Sequence, residues 1–282
     1  MKSYAPVVAA TDNALTALFG VDKPLIGTIH LEPLPGAPRY DGAAVCDLVR
    51  RAVEDAQRYV DGGIDGLIVE NEGDIPFLKP DQVSHETVAA MAVITAAVVQ
   101  AVQIPVGVLC LANATPQSIA IAKAGGARFV RANQWANAYI ANEGFIEGSA
   151  ATSLRYRAAI GAKDVRVFAD VHVKHGSHAI VADRSIAELT HDTEAFDADV
   201  LIATGQRTGD PTTVEEVEQI TAVASRPVLV GSGLDAGNAA SLMSVADGAI
   251  VGSAMKEDGV WWNPVSVART RAIVDEVQRV RT

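Results

Sequence analysis

The feature that most constrains this chain is a repeated alternation of two hydrophobic rhythms. Short runs rich in Val, Ile, Leu and Ala fall at Leu25–His30, Gly66–Glu70, Val106–Cys110, Phe129–Asn133, Val165–Lys174, Val200–Thr204, Val228–Gly231 and Ala249–Gly252. Near-continuous apolar runs of this length read as parallel strands covered on both faces. Helical spacing fills the intervals. Val45, Leu48, Val49, Ala52, Val53, Ala56 and Val60 recur every three or four residues, and Gly62-Gly63 can end that helix. Thr115-Pro116 fits a helix start, and Ser185/Glu188 and Thr213/Glu216 have capping-box spacing.

Eight β/α units in 282 residues predict an α/β fold, a single (β/α)8 TIM barrel spanning residues 1–282 with an N-terminal helical extension over 1–23. A doubly wound sheet competes less well, because no strand is followed by a G-x-G-x-x-G or Walker motif. Composition agrees with a large core: 49% of residues are hydrophobic. The net charge of −11 argues against nucleic acid or an anionic membrane as partner, while leaving room for a local basic pocket. Two cysteines, Cys46 and Cys110, make no disulfide scaffold. The start of the chain lacks a signal-peptide pattern, and Val88–Val102 is too short to span a bilayer, so a cytoplasmic protein is expected.

Five segments carry a resemblance: PLIGTIHLEPLPGAPRY (Pro24–Tyr40), GGIDGLIVENEGDIPF (Gly62–Phe77), FADVHVKH (Phe168–His175), TGQRTGDP (Thr204–Pro211) and VGSGLDAGN (Val230–Asn238). Together they resemble the BtpA/SgcQ family, in barrel order, from about Pro24 to about Arg269. The resemblance implies a TIM barrel of the phosphate-binding type. The family takes its name from a member needed for photosystem I accumulation, which makes a noncatalytic assembly or regulatory factor the rival to an enzyme. No general reaction comes with it.

Barrel enzymes place their chemistry at the carboxyl ends of the strands. Strand parity puts Asp170, His172 and Lys174 on one face of the fifth strand, with Val171 and Val173 on the other. The same parity groups His30 with Glu32, Ile68 with Glu70, and Arg131 with Asn133; Cys110 and Thr204 reach toward the same mouth. Asp170 is read as the acid or base, His172 as a proton shuttle, Lys174 as an electrostatic stabiliser, and Glu70 and His30 as the opposite wall. An ion-pair network holding the barrel top together is the structural alternative. Gly231-Ser232-Gly233 after strand seven and Gly252-Ser253 after strand eight form a candidate phosphate cradle. Tight βα turns with no ligand would need the same glycines.

The loop Thr204-Gly205-Gln206-Arg207-Thr208-Gly209 reads as a lid, with Arg207 as an anion contact. Glu32, Glu70, Asp74 and Asp170 could offer oxygens to a divalent ion such as Mg2+, with His30 or His172 adding nitrogen, although no tight metal motif is present. Trp135, Tyr139, Trp261 and Trp262 are expected to pack in the core or loops. These features predict an isomerase, epimerase or lyase acting on a sugar phosphate or phosphoribosyl compound. Similarity to phosphoribosylanthranilate isomerase is partial: Asp170 could match its aspartate, but its cysteine base falls where this chain reads Gly27-Thr28-Ile29-His30. A nucleotide hydrolase is the weaker third reading, and a homo-oligomer is compatible with the sequence.

Overall fold

The computed structural model describes residues 12–205 and 212–281. Its centre is a closed barrel of eight parallel strands, each followed by a helix or loop that returns the chain to the amino-terminal end. In chain order the elements are α1 (Ala14–Phe19), β1 (Leu25–His30), α2 (Val45–Asp61), β2 (Gly66–Glu70), α3 (His85–Ala101), β3 (Val106–Leu109), α4 (Thr115–Gly125) and β4 (Phe129–Ala132). They continue with β5 (Ala138–Ala141), β6 (Gly144–Glu147), α5 (Ala150–Ala159), β7 (Arg166–Asp170), β8 (Gly176–Ser177), α6 (Ile186–Ala195) and β9 (Val200–Ala203). The chain then runs through α7 (Val214–Thr221), β10 (Val228–Val230), α8 (Ala239–Val245), β11 (Gly248–Val251) and α9 (Val267–Gln278). The barrel order is β1-β11-β10-β9-β7-β4-β3-β2.

Strand parity divides the core in two. Ile26, Ile68, Leu109, Phe129, Phe168, Ile202, Leu229 and Ile250 fill the barrel interior as one cluster. Their neighbours Leu25, Leu67, Val69, Val108, Val130, Val167, Leu201 and Val230 join a second cluster, which packs the strands against the helices. Phe129 and Phe168 stack with centroids 4.5 Å apart. Glycine makes room for them: a Cβ on Gly107 would lie 2.3 Å from the Phe129 ring.

Helix α1 closes the amino-terminal end. Asn13 caps it by accepting from Leu15 and Thr16 N–H, and Gly20 ends it in the left-handed region. Phe19 meets Phe129 edge-on at 5.9 Å. Elsewhere Ser185 and Glu188 form the expected reciprocal capping box. Thr115 is already inside α4, with Ala114 as the cap.

The fifth barrel strand is shorter than the sequence implies. It stops at Asp170, so His172 and Lys174 lie in the following loop. Val173 packs there with Tyr139 and Ile146. These belong to an unexpected three-stranded antiparallel sheet, order β6-β5-β8, built from the loops that follow β4 and β7 at the carboxyl-terminal mouth. Cys110 falls just past β3 on the outer side, among the residues that pack strands on helices. It does not reach the mouth, and burial pushes its thiol up to about 12.

Candidate active site

The carboxyl ends of the barrel strands deliver a dense polar cluster onto the apolar interior. From β4, Arg131 sends Nε to Asp170 Oδ2 at 3.0 Å and Nη2 to Oδ1 at 2.9 Å. Asn133 donates to Oδ2 at 3.3 Å, and the Thr204 hydroxyl donates to Oδ1. Both partners of the pair are at most 5% exposed. With four donors converging on its two oxygens, Asp170 is an anchor; a free base needs an open lone pair.

Glu70, at the end of β2, is a carboxylate left more open. It is 5% exposed, and its Oε1 has no hydrogen-bond partner. Burial pushes its carboxyl up to about 7, moderated by Arg131 and reinforced by Glu72. His30 lies beside it, Nε2 to Oε2 at 3.6 Å. The His30 Nδ1 contacts the Trp261 carbonyl at 2.9 Å, which can only accept, so Nδ1 carries the proton. Nε2 then accepts from the Thr28 hydroxyl at 2.9 Å. Burial, and next the charge of Lys256, hold His30 down to about 3. The two side chains therefore meet as a neutral imidazole and an acid poised near neutrality, with no ion pair between them.

Lys174 returns to the mouth from its loop and donates from Nζ to Ser232 Oγ at 3.2 Å. Burial and Arg131 lower its affinity for a proton, while Asp170, Glu70 and Glu72 act in the other direction. Gly231 and Gly252 are packed where a side chain has no room. A Cβ on Gly231 would lie 2.3 Å from Ile202 and 3.3 Å from Arg131 Nη2. One on Gly252 would lie 3.0 Å from Thr28 Oγ1. Gly233 has φ +75°, and its carbonyl accepts from Asn238 at 2.8 Å. Ser253 opens a short 3-10 turn, Ser253–Met255.

Other sequence candidates are placed elsewhere. His172 does not share a face with Asp170. Its ring stacks on His178 at 3.7 Å, which in turn stacks on Tyr139 in the antiparallel sheet. Burial and His178 hold His172 down to about 4. The backbone of Thr204 and Gly205 hydrogen-bonds to Glu216. Residues 206–209 of the expected lid, Arg207 among them, lie outside the described residues. Glu32 pairs with Arg51 on the outer surface. Asp74 is committed to Leu34 N–H at 2.8 Å and Asn71 at 2.9 Å. The set Glu32, Glu70, Asp74 and Asp170 therefore does not converge, and among the described residues no three His, Cys, Asp or Glu gather to hold a metal.

Two contributors escaped the sequence reading. Glu72, just beyond β2, has its proton affinity raised by burial and faces Lys174 and Arg131. Lys256 is wholly buried, with Nζ 3.6 Å from Asp55 Oδ2 and 5.4 Å from the Tyr59 ring centre. Burial draws its amine down to about 8. The acidic stretch Glu70-Asn71-Glu72 was a usable signal for Glu72; nothing in sequence links Lys256 to Asp55.

A closed parallel barrel with acid, imidazole, amine and guanidinium at its carboxyl mouth defines the class: a TIM barrel whose polar site lies where such folds carry their chemistry. The chain belongs to the BtpA family, which it matches over residues 21–279. An uncharacterised protein of Pyrococcus furiosus is 40% identical, over 89% of this chain and 94% of its own. The photosystem I biogenesis protein BtpA of Synechocystis is 36% identical, over 91% and 88%. Among solved structures, N-(5'-phosphoribosyl)anthranilate isomerase from Pyrococcus furiosus shares the fold with a TM-score of 0.56 at 13% identity, covering 91% of this chain and 99% of that one. Among the described residues no helix is long and apolar enough to cross a membrane.

Proposed function

We propose that this protein is an enzyme acting on a small phosphorylated metabolite, with Glu70 as the group that moves a proton. The observation that carries this reading is the unpartnered Oε1 of a buried carboxyl near pH-neutral affinity, beside a neutral imidazole. A base matched to the working pH is what proton abstraction beside a carbonyl requires. Glu70 takes the proton from carbon, Lys174 and Arg131 stabilise the negative charge that develops on oxygen, and protonated Glu70 returns it to the same or the neighbouring carbon. His30, its Nε2 occupied by the Thr28 hydroxyl, stays neutral beside the acid and walls that side of the site. This is isomerase or epimerase chemistry; carbon–carbon cleavage uses the same enolate. The phosphate is read as sitting at Lys174 and Ser232, beside the turns Gly231–Gly233 and Gly252–Ser253.

The test has two parts. Inorganic phosphate and ribose 5-phosphate should raise the melting temperature, and Ser232→Phe should abolish that rise. In D2O, pentose and hexose phosphates should exchange a carbon-bound hydrogen by NMR, and Glu70→Gln should stop the exchange. No stabilisation and no exchange across the panel would refute the reading. A noncatalytic assembly factor has one observation in its favour: Ile140 and Phe145 pair across β5 and β6 and are 45% and 41% exposed.

A further inference from the structure

A second concavity lies beside the mouth, between the end of β1, helix α2 and the loop around Trp262. It encloses about 400 Å³, a size that suits a small ring. His30 is common to both spaces: it lines this groove and faces Glu70 in the mouth. Trp262 also lines the groove and is 68% exposed, the most exposed large apolar residue among the described residues. It stands edge-on to Trp261 at 5.2 Å, whose carbonyl fixes His30.

The groove's charges balance. Arg51 pairs with Glu32, Arg50 with Glu54, and Arg58 Nη1 with Asp55 Oδ1 at 3.4 Å. Such walls exert no net pull on an anion, yet each guanidinium keeps further N–H donors and each carboxylate further acceptor positions. An exposed indole with donors and acceptors around it fits a planar, uncharged heterocycle, which stacks on the ring and bonds through its edges. The phosphate has its own place at Lys174 and Ser232.

We infer that the groove is a subsite for a purine-like nitrogen heterocycle, so that the ligand is a phosphoribosyl-linked base extending past His30 onto Trp262. This rests on the phosphorylated-substrate reading above and narrows its substrate class.

Calorimetric titration with AMP, ribose 5-phosphate and adenine, on the full chain and on Trp262→Ala, tests it. AMP should bind at least about tenfold more tightly than ribose 5-phosphate, the gain expected of one base–aromatic stack. Trp262→Ala should erase that difference and leave ribose 5-phosphate binding unchanged. Equal affinities of the wild type for AMP and ribose 5-phosphate would overturn the subsite while leaving the phosphate reading intact. Equal weakening of both ligands by Trp262→Ala would do the same. If adenine quenches indole fluorescence in the wild type but not in Trp262→Ala, while no phosphate compound binds, the subsite stands and the phosphate reading falls. Binding of none of the three overturns both.

Discussion

Arg131 and Asp170 meet through two parallel hydrogen bonds, 3.0 and 2.9 Å long, at the carboxyl ends of neighbouring strands β4 and β7. The pair is almost wholly buried, and Asn133 and Thr204 complete the carboxylate's shell. Two charges removed from water hold together only when their hydrogen bonds are satisfied, and here they are. The consequence is a fixed cation on the wall of the mouth, while Glu70 Oε1 is left without a hydrogen bond.

Removing one partner strands the other's charge. Arg131→Met should destabilise the protein by about 3–5 kcal/mol in urea unfolding. The double variant Arg131→Met/Asp170→Leu should recover much of that loss. A single variant as stable as the wild type would contradict the anchoring role.

Glu70 makes stability depend on pH. Its folded affinity near 7 exceeds the ordinary 4.5. Above pH 7 the native state carries a buried charge that the unfolded chain carries in water. As pH falls toward 4.5 the native carboxyl protonates first and this penalty disappears. Glu70→Gln should therefore be more stable than the wild type at pH 8, on the order of 2–3 kcal/mol, with the gain fading near pH 4.5. Melting curves at the two pH values read it directly, and no gain at pH 8 would show that Glu70 is not the strained group.

His30 acts with the opposite sign. Held at about 3 against an ordinary 6.5, it binds fewer protons in the native state, so acidification below 6.5 favours unfolding. Each unit below 6.5 costs about 1.4 kcal/mol until the folded value is reached. Between pH 6.5 and 4.5 the contributions of His30 and Glu70 nearly cancel. As pH falls from 6.5 to 4.5, His30→Gln should gain stability relative to wild type and the advantage of Glu70→Gln should shrink toward zero, as chemical denaturation at half-unit steps would show.

The barrel floor offers a packing test. A Cβ on Gly66 would lie 2.4 Å from the Phe19 ring, so Gly66→Ala should cost about 1–3 kcal/mol. Trimming the ring in Gly66→Ala/Phe19→Leu should relieve the clash in a double-mutant cycle. Strict additivity would show that α1 does not seat against β2.

The sequence by itself determined the barrel. Eight apolar runs separated by helical stripes leave a chain of this length few ways to bury both faces of every strand, and period-2 parity within them named His30, Glu70, Arg131 and Asp170 as inward-facing. The reading was weakest where a strand ends, because the apolar run around Val171 and Val173 continues past Asp170 although pairing with β9 stops there. The antiparallel sheet was signalled only by Asn142-Glu143-Gly144 between two short apolar pairs.

Tertiary structure alone decided which acid is spent and which is open. Asp170 and Glu70 look alike in sequence, yet four donors reach one and none reaches Oε1 of the other. It also brought Lys256 against Asp55, about two hundred positions apart, and set Trp262 beside α2. Proton affinity follows burial and neighbouring charge, and both are properties of the closed fold: they exist only once distant strands have met.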